Sequence, residues 1–158
     1  MVIFFKKKIK KTEIYSPLSG EVCDLSSASD PVFREKMMGD GFYVMPNSLK
    51  ICSPIDGIID SIFPTKHALT IKGKNGINTL IHIGSDTVQL EGKPFELLVE
   101  AGKTVEAGEA LVISDFDYIR NSNKGTEVYV VFPELDVEKK VILIKQGMVS
   151  QQDIVATI

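Results

Sequence analysis

Two histidines, His67 and His82, are the residues of this chain best suited to chemistry, and the sequence contains no others. Each lies in a short apolar run that is typical of a β-strand, and a turn-forming segment at residues 72–76 separates the two runs. The runs are therefore predicted to fold back on each other as a hairpin, which brings the two imidazoles together. A close pair of imidazoles suits either phosphate chemistry or the binding of a metal ion.

The composition is that of an ordinary globular protein. The 158 residues are 44% hydrophobic and 25% charged, with a net charge of -3, so nucleic acid is not expected as a partner. Cys23 and Cys52 are the only cysteines and do not have the CxxC spacing of metal-binding or redox motifs. This favours free thiols in a reducing cytoplasm. No apolar run approaches the roughly 20 residues that cross a bilayer. We expect a cytoplasmic protein with one domain over residues 14–158, preceded by a short basic arm at residues 1–13.

The predicted arm has an apolar tip, residues 1–5, that is followed by a cluster of lysines. One interpretation is a solvated, frayed terminus. The other is weak contact with an anionic membrane surface, which one such short segment would hold only marginally. The sequence leaves both interpretations open.

Many short apolar or alternating runs, separated by turn residues, predict an all-β antiparallel sandwich. The predicted strands cover residues 20–25, 41–45, 49–53, 57–63, 67–72, 79–83, 88–90, 110–113, 127–132 and 140–144. Two short helical turns are also expected. Asp30 can cap residues 31–38, where proline takes the first helical position, and Asp115 can cap residues 116–120.

Six ordered blocks spread over most of the chain carry a resemblance to a known family. They are SPLSG at 16–20, DPVF at 30–33, GDG at 39–41, SPIDG at 53–57, TKHA at 65–68 and HIGSDTVQLEG at 82–92. With these blocks the chain resembles the glucose-type IIA component of the bacterial phosphoenolpyruvate-dependent sugar phosphotransferase system. The family fold is an antiparallel β-sandwich, in agreement with the strand pattern.

The resemblance implies a role for each histidine. His82 is expected to accept a phosphoryl group on Nε2 from the carrier protein HPr and to pass it to a cysteine of a IIB domain during sugar uptake. Its other ring nitrogen should donate to a backbone carbonyl, for which Gly84 is the candidate. His67 is expected to stabilise the phosphoryl oxygens. Thr65 is expected to orient His67 through its hydroxyl, although threonine is also simply favourable in strands.

The resemblance also implies a docking face around the histidines for HPr and the IIB domain. The residues expected on it are Asp30, Val32, Phe33, Met37, Met38, Phe63, Ile81, Asp86 and Val88. Each apolar member could instead belong to the core. Asp30 and Asp86 would attract basic residues of the partners, although Asp86 could equally accept a hydrogen bond within its own turn.

Two further functions stay open at this point. A zinc-dependent hydrolase could use His67 and His82 as ligands, with Asp86 as the candidate third ligand. A regulatory binding protein is the other, in which zinc could bridge the two histidines and a partner's carboxylate. A phosphocarrier needs no cofactor. No IIB or membrane portion accompanies the sandwich in this sequence, so we expect a stand-alone component or a IIA segment working in trans, and the sugar is not identified.

Overall fold

A computed structural model describes residues 11–158 of the chain, and this part contains short strands with two brief α-helices. In chain order the elements are β1 (Glu13–Tyr15), β2 (Gly20–Asp24), α1 (Pro31–Arg34), β3 (Asp40–Pro46), β4 (Lys50–Cys52), β5 (Gly57–Ile62), β6 (Ala68–Gly73), β7 (Asn78–Ser85), β8 (Phe95–Leu97), β9 (Thr104–Val105), β10 (Ala110–Ser114), α2 (Phe116–Asn121), β11 (Gly125–Phe132), β12 (Ile142–Leu143), β13 (Gly147–Val149) and β14 (Ile154–Thr157).

The strands form one large sheet and two small ones. The large sheet has eight strands in the order β13-β2-β3-β11-β7-β6-β5-β9, and the small sheets have the orders β4-β10-β8 and β1-β14-β12. The pairs are antiparallel. The predicted all-β antiparallel fold class is therefore confirmed.

The eight-stranded sheet carries a different core on each of its faces, because successive side chains of a strand point to opposite sides. Its inner face is aliphatic: Ile81, Ile83, Val128 and Val130 pack in the main core with side chains from the small sheets. Its outer face carries a smaller core of eight buried residues. These residues are Leu25, Ala28, Phe33, Tyr43, Ala68, Leu80, Tyr129 and Val131. Residues 25–38, which we call the cover segment, supply three of the eight.

Both helices begin where the sequence predicts. The Asp30 carboxylate accepts a hydrogen bond from the Val32 amide at 3.0 Å, and the Asp115 carboxylate accepts one from the Tyr118 amide at 3.0 Å. The first helix is shorter than predicted and ends at Arg34. Lys36 has φ of 57°, a left-handed conformation that an α-helix cannot contain, so the chain turns there.

Residues 88–90 are not a strand, contrary to the prediction. A 3-10 helix spans Thr87–Leu90, and both flanking residues, Asp86 and Glu91, have left-handed backbones. The Thr87 hydroxyl donates to the carbonyl of Ile83 and closes this turn against β7. The apolar pattern could not separate a short strand from a tight turn of the same length.

The start of the domain also differs from the prediction. The Thr12 amide donates to the carbonyl of Ile158 at 2.9 Å, and Glu13 begins β1, which pairs with β14. Residues 12 and 13 therefore belong to the sandwich and not to the arm. Lys11 lies in no strand or helix, and residues 1–10 of the predicted arm lie outside the described residues. Within residues 11–158 we find no helix long and apolar enough to cross a membrane.

Candidate functional site

The two histidines meet on the outer face of the large sheet, at the open end of the predicted hairpin. Strands β6 and β7 pair antiparallel with Ala68 opposite His82, and His67 immediately precedes β6. The Ile83 amide donates to the carbonyl of His67 at 2.7 Å, which fixes the entry into β6. The two imidazole rings lie edge to face, with their centroids 5.0 Å apart. The predicted pairing of the imidazoles is confirmed.

His82 has one ring nitrogen committed and the other available. Its Nδ1 lies 2.8 Å from the carbonyl oxygen of Gly84. A carbonyl oxygen can only accept, so Nδ1 carries the proton and Nε2 carries the lone pair. Gly84 has φ of 80°, and a Cβ there would lie 2.7 Å from the carbonyl oxygen of Gly125. The turn that aims this carbonyl at the imidazole therefore requires glycine.

His67 is more enclosed, with 5% of its surface exposed. Its Nδ1 lies 2.7 Å from the hydroxyl oxygen of Thr65, which leaves Nε2 to act outside this pair. The ring of Phe63 stands edge-on to the imidazole, with centroids 5.4 Å apart. The predicted contact between Thr65 and His67 is present, and the role of that contact in the chemistry stays a prediction.

Both imidazoles are held neutral by their surroundings. Burial lowers the pKa of His82 to about 4, with a further lowering from the adjacent His67. The Gly84 carbonyl, Asp30 and Asp86 act in the opposite direction but do not offset burial. Burial also lowers the pKa of His67. At neutral pH the Nε2 of His82 is thus an unprotonated nucleophile, and His67 can act as a neutral hydrogen-bond donor.

Most residues of the predicted docking face are accessible, and Phe63 among them contacts His67. The exposed apolar members are Val32, Met37, Met38, Phe63 and Val88. Asp30 is partly exposed while its carboxylate caps α1. Asp86 is exposed and makes no capping bond to the 3-10 helix that follows it, so its carboxylate is available at the rim.

Two residues of the predicted docking face are buried, so the prediction that they contact a partner directly is wrong. Ile81 has no exposed surface because it precedes His82 on β7 and so points to the inner face. Phe33 is 3% exposed because α1 turns it down onto the sheet. Its ring lies beside the His82 imidazole, with centroids 5.0 Å apart, so Phe33 lines the site.

Sequence reasoning missed the residues of β11 that stand beside the histidines. Tyr129 pairs with His82 across the sheet and stacks on Phe33, with centroids 3.8 Å apart. Glu127, on the same face of the strand, accepts a hydrogen bond from the Ser29 hydroxyl at 2.6 Å. Alternation along β11 places these two residues on one side, but only the long-range pairing of β11 with β7 shows which side faces the histidines.

The described residues were also compared with the predicted metal site. Over residues 11–158, no group of three His, Cys, Asp or Glu side chains is arranged to hold a metal ion. The comparisons with known proteins give no support to the zinc hydrolase either. A zinc ion held jointly by His67, His82 and a carboxylate of a partner stays a prediction.

Residues 12–137 match the family model described as "phosphoenolpyruvate-dependent sugar phosphotransferase system, EIIA 1". The chain is 48% identical over 120 residues to the glucose-specific EIIA component of Staphylococcus epidermidis, covering 76% of this chain and 72% of that protein. It is 47% identical over 146 residues to the glucose-specific EIICBA component of Streptococcus pneumoniae, covering 92% of this chain but only 20% of that protein. The fold matches the glucose permease IIA of Mycoplasma capricolum with a TM-score of 0.89 and 35% identity, over 97% of this chain and 99% of that one.

Proposed function

This chain belongs to the EIIA 1 family of the phosphoenolpyruvate-dependent sugar phosphotransferase system and is a phosphocarrier component in sugar uptake, and we propose that His82 carries its phosphoryl group. The single observation behind this assignment is the hydrogen bond from His82 Nδ1 to the Gly84 carbonyl. It leaves Nε2 with its lone pair in a partly exposed ring. His67 has less solvent-accessible surface than His82, so it is less suited to meet a donor protein.

The proposed step is an in-line transfer between two imidazoles. The lone pair of His82 Nε2 attacks the phosphorus of phospho-HPr, the P–Nε2 bond forms, and the bond from phosphorus to the donor imidazole breaks. The donor imidazole leaves with the electron pair of that bond. The proton of His82 stays on Nδ1 and is donated in a hydrogen bond to the Gly84 carbonyl, which stabilises the positive charge that the imidazole gains on phosphorylation.

His67 is proposed to stabilise the transferring group without becoming phosphorylated. The Thr65 hydroxyl oxygen lies 2.7 Å from His67 Nδ1 and is proposed to donate to it, which places the proton of His67 on Nε2. An Nε2–H group on a ring 5.0 Å from that of His82 can donate to a phosphoryl oxygen as charge moves between nitrogens. Thr65 therefore contributes by fixing the tautomer of His67.

HPr and a IIB domain are the proposed partners, docking on the exposed apolar residues around His82 with the acidic rim attracting basic side chains. The fused relative from Streptococcus pneumoniae carries the name EIICBA, which supports an acceptor of the IIB type. Since several relatives are named glucose-specific, we propose a glucose-type system. Cys23 and Cys52 are free, as is typical of a reducing compartment, and this supports a cytoplasmic site of action. Membrane contact through residues 1–10 stays a prediction.

Phosphorylation followed by peptide mapping tests the proposal. The chain is incubated with phosphoenolpyruvate, enzyme I and HPr, and its intact mass is measured before digestion at mildly alkaline pH. Tryptic cleavage after Lys66, Lys72 and Lys74 separates the two histidines, since His67 falls in residues 67–72. We expect one acid-labile phosphoryl group, on the peptide that contains His82. Label on residues 67–72, or none while a control IIA protein is labelled, would refute the assignment.

A further inference from the structure

The cover segment is held on the outer face of the sheet by three side chains that the known function does not use. Tyr43 of β3 contacts Ser27, with the two hydroxyl oxygens 2.9 Å apart. Glu127 of β11 accepts from the Ser29 hydroxyl at 2.6 Å. Tyr129, two residues further along β11, stacks on Phe33. The contacts thus follow the segment from its beginning to α1, and the last lies beside His82.

The contact between Tyr129 and Phe33 is the closest aromatic pairing around the site. Their rings are nearly parallel, with an interplanar angle of 10° and centroids 3.8 Å apart. Tyr129 has no exposed surface, so its ring is fixed by the sheet on which it stands. Phe33 in turn lies 5.0 Å from the His82 imidazole, whereas Tyr129 itself is 6.3 Å from it. Tyr129 therefore reaches the imidazole mainly through Phe33.

The hydroxyl of Tyr129 makes a second and weaker contact near the acceptor. Its oxygen lies 3.3 Å from the Ser85 hydroxyl, on the residue that follows Gly84. Burial raises the pKa of Tyr129 to about 12, so this group stays a neutral hydroxyl. This O–O distance is longer than is usual between hydroxyl groups, so the stacking on Phe33 is the main contact of Tyr129 with the site.

We propose that Tyr129 is a positioning residue for phosphoryl transfer, whose ring is the platform that fixes Phe33, and with it the cover segment, beside the His82 imidazole. This inference rests on the proposed role of His82 as acceptor. Misplacement of a reacting group by about 1 Å costs on the order of a hundredfold in rate, so a platform of this kind affects the chemical step. Glu127 assists by holding the start of the segment through Ser29.

The test compares Tyr129→Leu, Tyr129→Phe and Phe33→Leu in phosphoryl transfer from phospho-HPr, with rates measured over a range of HPr concentrations. Tyr129→Leu removes the flat ring, and we expect a roughly tenfold fall in kcat. Tyr129→Phe keeps the ring and should stay within about twofold of the unmodified chain. If Tyr129 acts through Phe33, the double variant Tyr129→Leu with Phe33→Leu will be no slower than Phe33→Leu alone. Independent, multiplying losses would overturn the proposal.

A spectroscopic readout separates positioning from general destabilisation. When Phe33 is no longer fixed against it, the His82 imidazole gains water, so its NMR titration midpoint should rise in Tyr129→Leu and not in Tyr129→Phe. Val130→Ala is the matched control, because Val130 is buried on the same strand but points to the inner face. It should lower stability and leave both kcat and the midpoint unchanged; the same kinetic loss in Val130→Ala would overturn the proposal.

Two outcomes distinguish this inference from the proposed function. Label away from His82 in the unmodified chain would refute the acceptor assignment itself. Label on His82 with an unchanged kcat in Tyr129→Leu would refute only the platform.

Should Tyr129→Leu fail to fold, Tyr129→Met fills the same space without a flat face and takes its place. An unchanged kcat in Phe33→Leu would by itself overturn the inference, because the platform acts through that ring.

Discussion

The two faces of the eight-stranded sheet are built from different chemistry. The inner face is a layer of aliphatic side chains that share one large core with the small sheets. The outer face carries aromatic rings, two histidines and a short cover segment. Aliphatic packing contributes stability that depends on volume, whereas the outer face depends on the positions of individual rings. Fold and chemistry are therefore assigned to opposite sides of the same strands.

Neighbouring residues of β7 test this division most strongly. His82 points outward and Ile81 points inward, one position apart. His82→Gln should abolish phosphoryl acceptance, since the amide of glutamine offers no nucleophilic nitrogen, while the free energy of unfolding at pH 7.5 changes little. Intact mass after incubation with phospho-HPr measures the first effect and urea unfolding the second. Phosphoryl label at another residue of this variant would contradict the assignment of the chemistry to His82.

Ile81→Ala should have the opposite effect: it should lower stability and leave phosphoryl acceptance nearly unchanged. Truncation of a fully buried isoleucine removes about 2–5 kcal/mol from the free energy of unfolding, because it leaves a cavity in the inner core. The acceptance rate per folded molecule should stay within about twofold of the unmodified chain. Urea unfolding and transfer kinetics at a temperature where the variant is folded provide the check. A large kinetic loss without loss of stability would contradict the division of roles.

His67→Gln should slow transfer without abolishing it. Glutamine can still donate one hydrogen bond, so we expect acceptance to persist and onward transfer to a IIB domain to fall roughly tenfold. Loss of a complete transition-state donor costs about a hundredfold or more. Single-turnover kinetics of each step measure the two rates separately. Unmodified rates in both steps would show that His67 has no stabilising role.

Substitutions in the exposed part of the outer face should change only the binding of HPr. Met37 is 72% exposed on the cover segment, and Met37→Asp should raise the HPr concentration for half-maximal rate roughly fivefold, which corresponds to about 1 kcal/mol of docking energy. Leu49→Asp is the matched control, since Leu49 is 58% exposed beside β4 of a small sheet. An equal effect of both changes would point to charge in general and not to docking.

The burial of His82 also makes the stability of the folded chain depend on acid. The pKa of His82 is about 4 in the folded chain and about 6.5 in the unfolded chain, so above pH 6.5 protonation affects neither state. Between these values only the unfolded chain takes up the proton, and the free energy of unfolding falls as the pH falls. His82→Gln should therefore lose less stability than the unmodified chain from pH 7.5 to pH 5, measured by urea unfolding. Ile81→Ala should lose as much as the unmodified chain.

Much of this architecture could be predicted from local sequence. The turn at residues 72–76 sets the hairpin, and Asp30 and Asp115 mark the starts of both helices. The docking face was predicted less well, because the resemblance suggests which residues lie around the histidines but not which of their side chains point into the core. Ile81 shows the error, since a one-residue step along a strand reverses the face. The role of Tyr129 depends on pairing between strands more than 40 residues apart, which no local pattern encodes.

The most direct test of the account is the position of the phosphoryl group on the imidazole. The chain is labelled with ¹⁵N-histidine and phosphorylated by phospho-HPr, and both nitrogens of each ring are observed by NMR. The account predicts an Nδ1–H tautomer for His82 beforehand and phosphorus bonded to His82 Nε2 afterwards, with His67 unmodified. Phosphorus on His82 Nδ1, or on either nitrogen of His67, would contradict it.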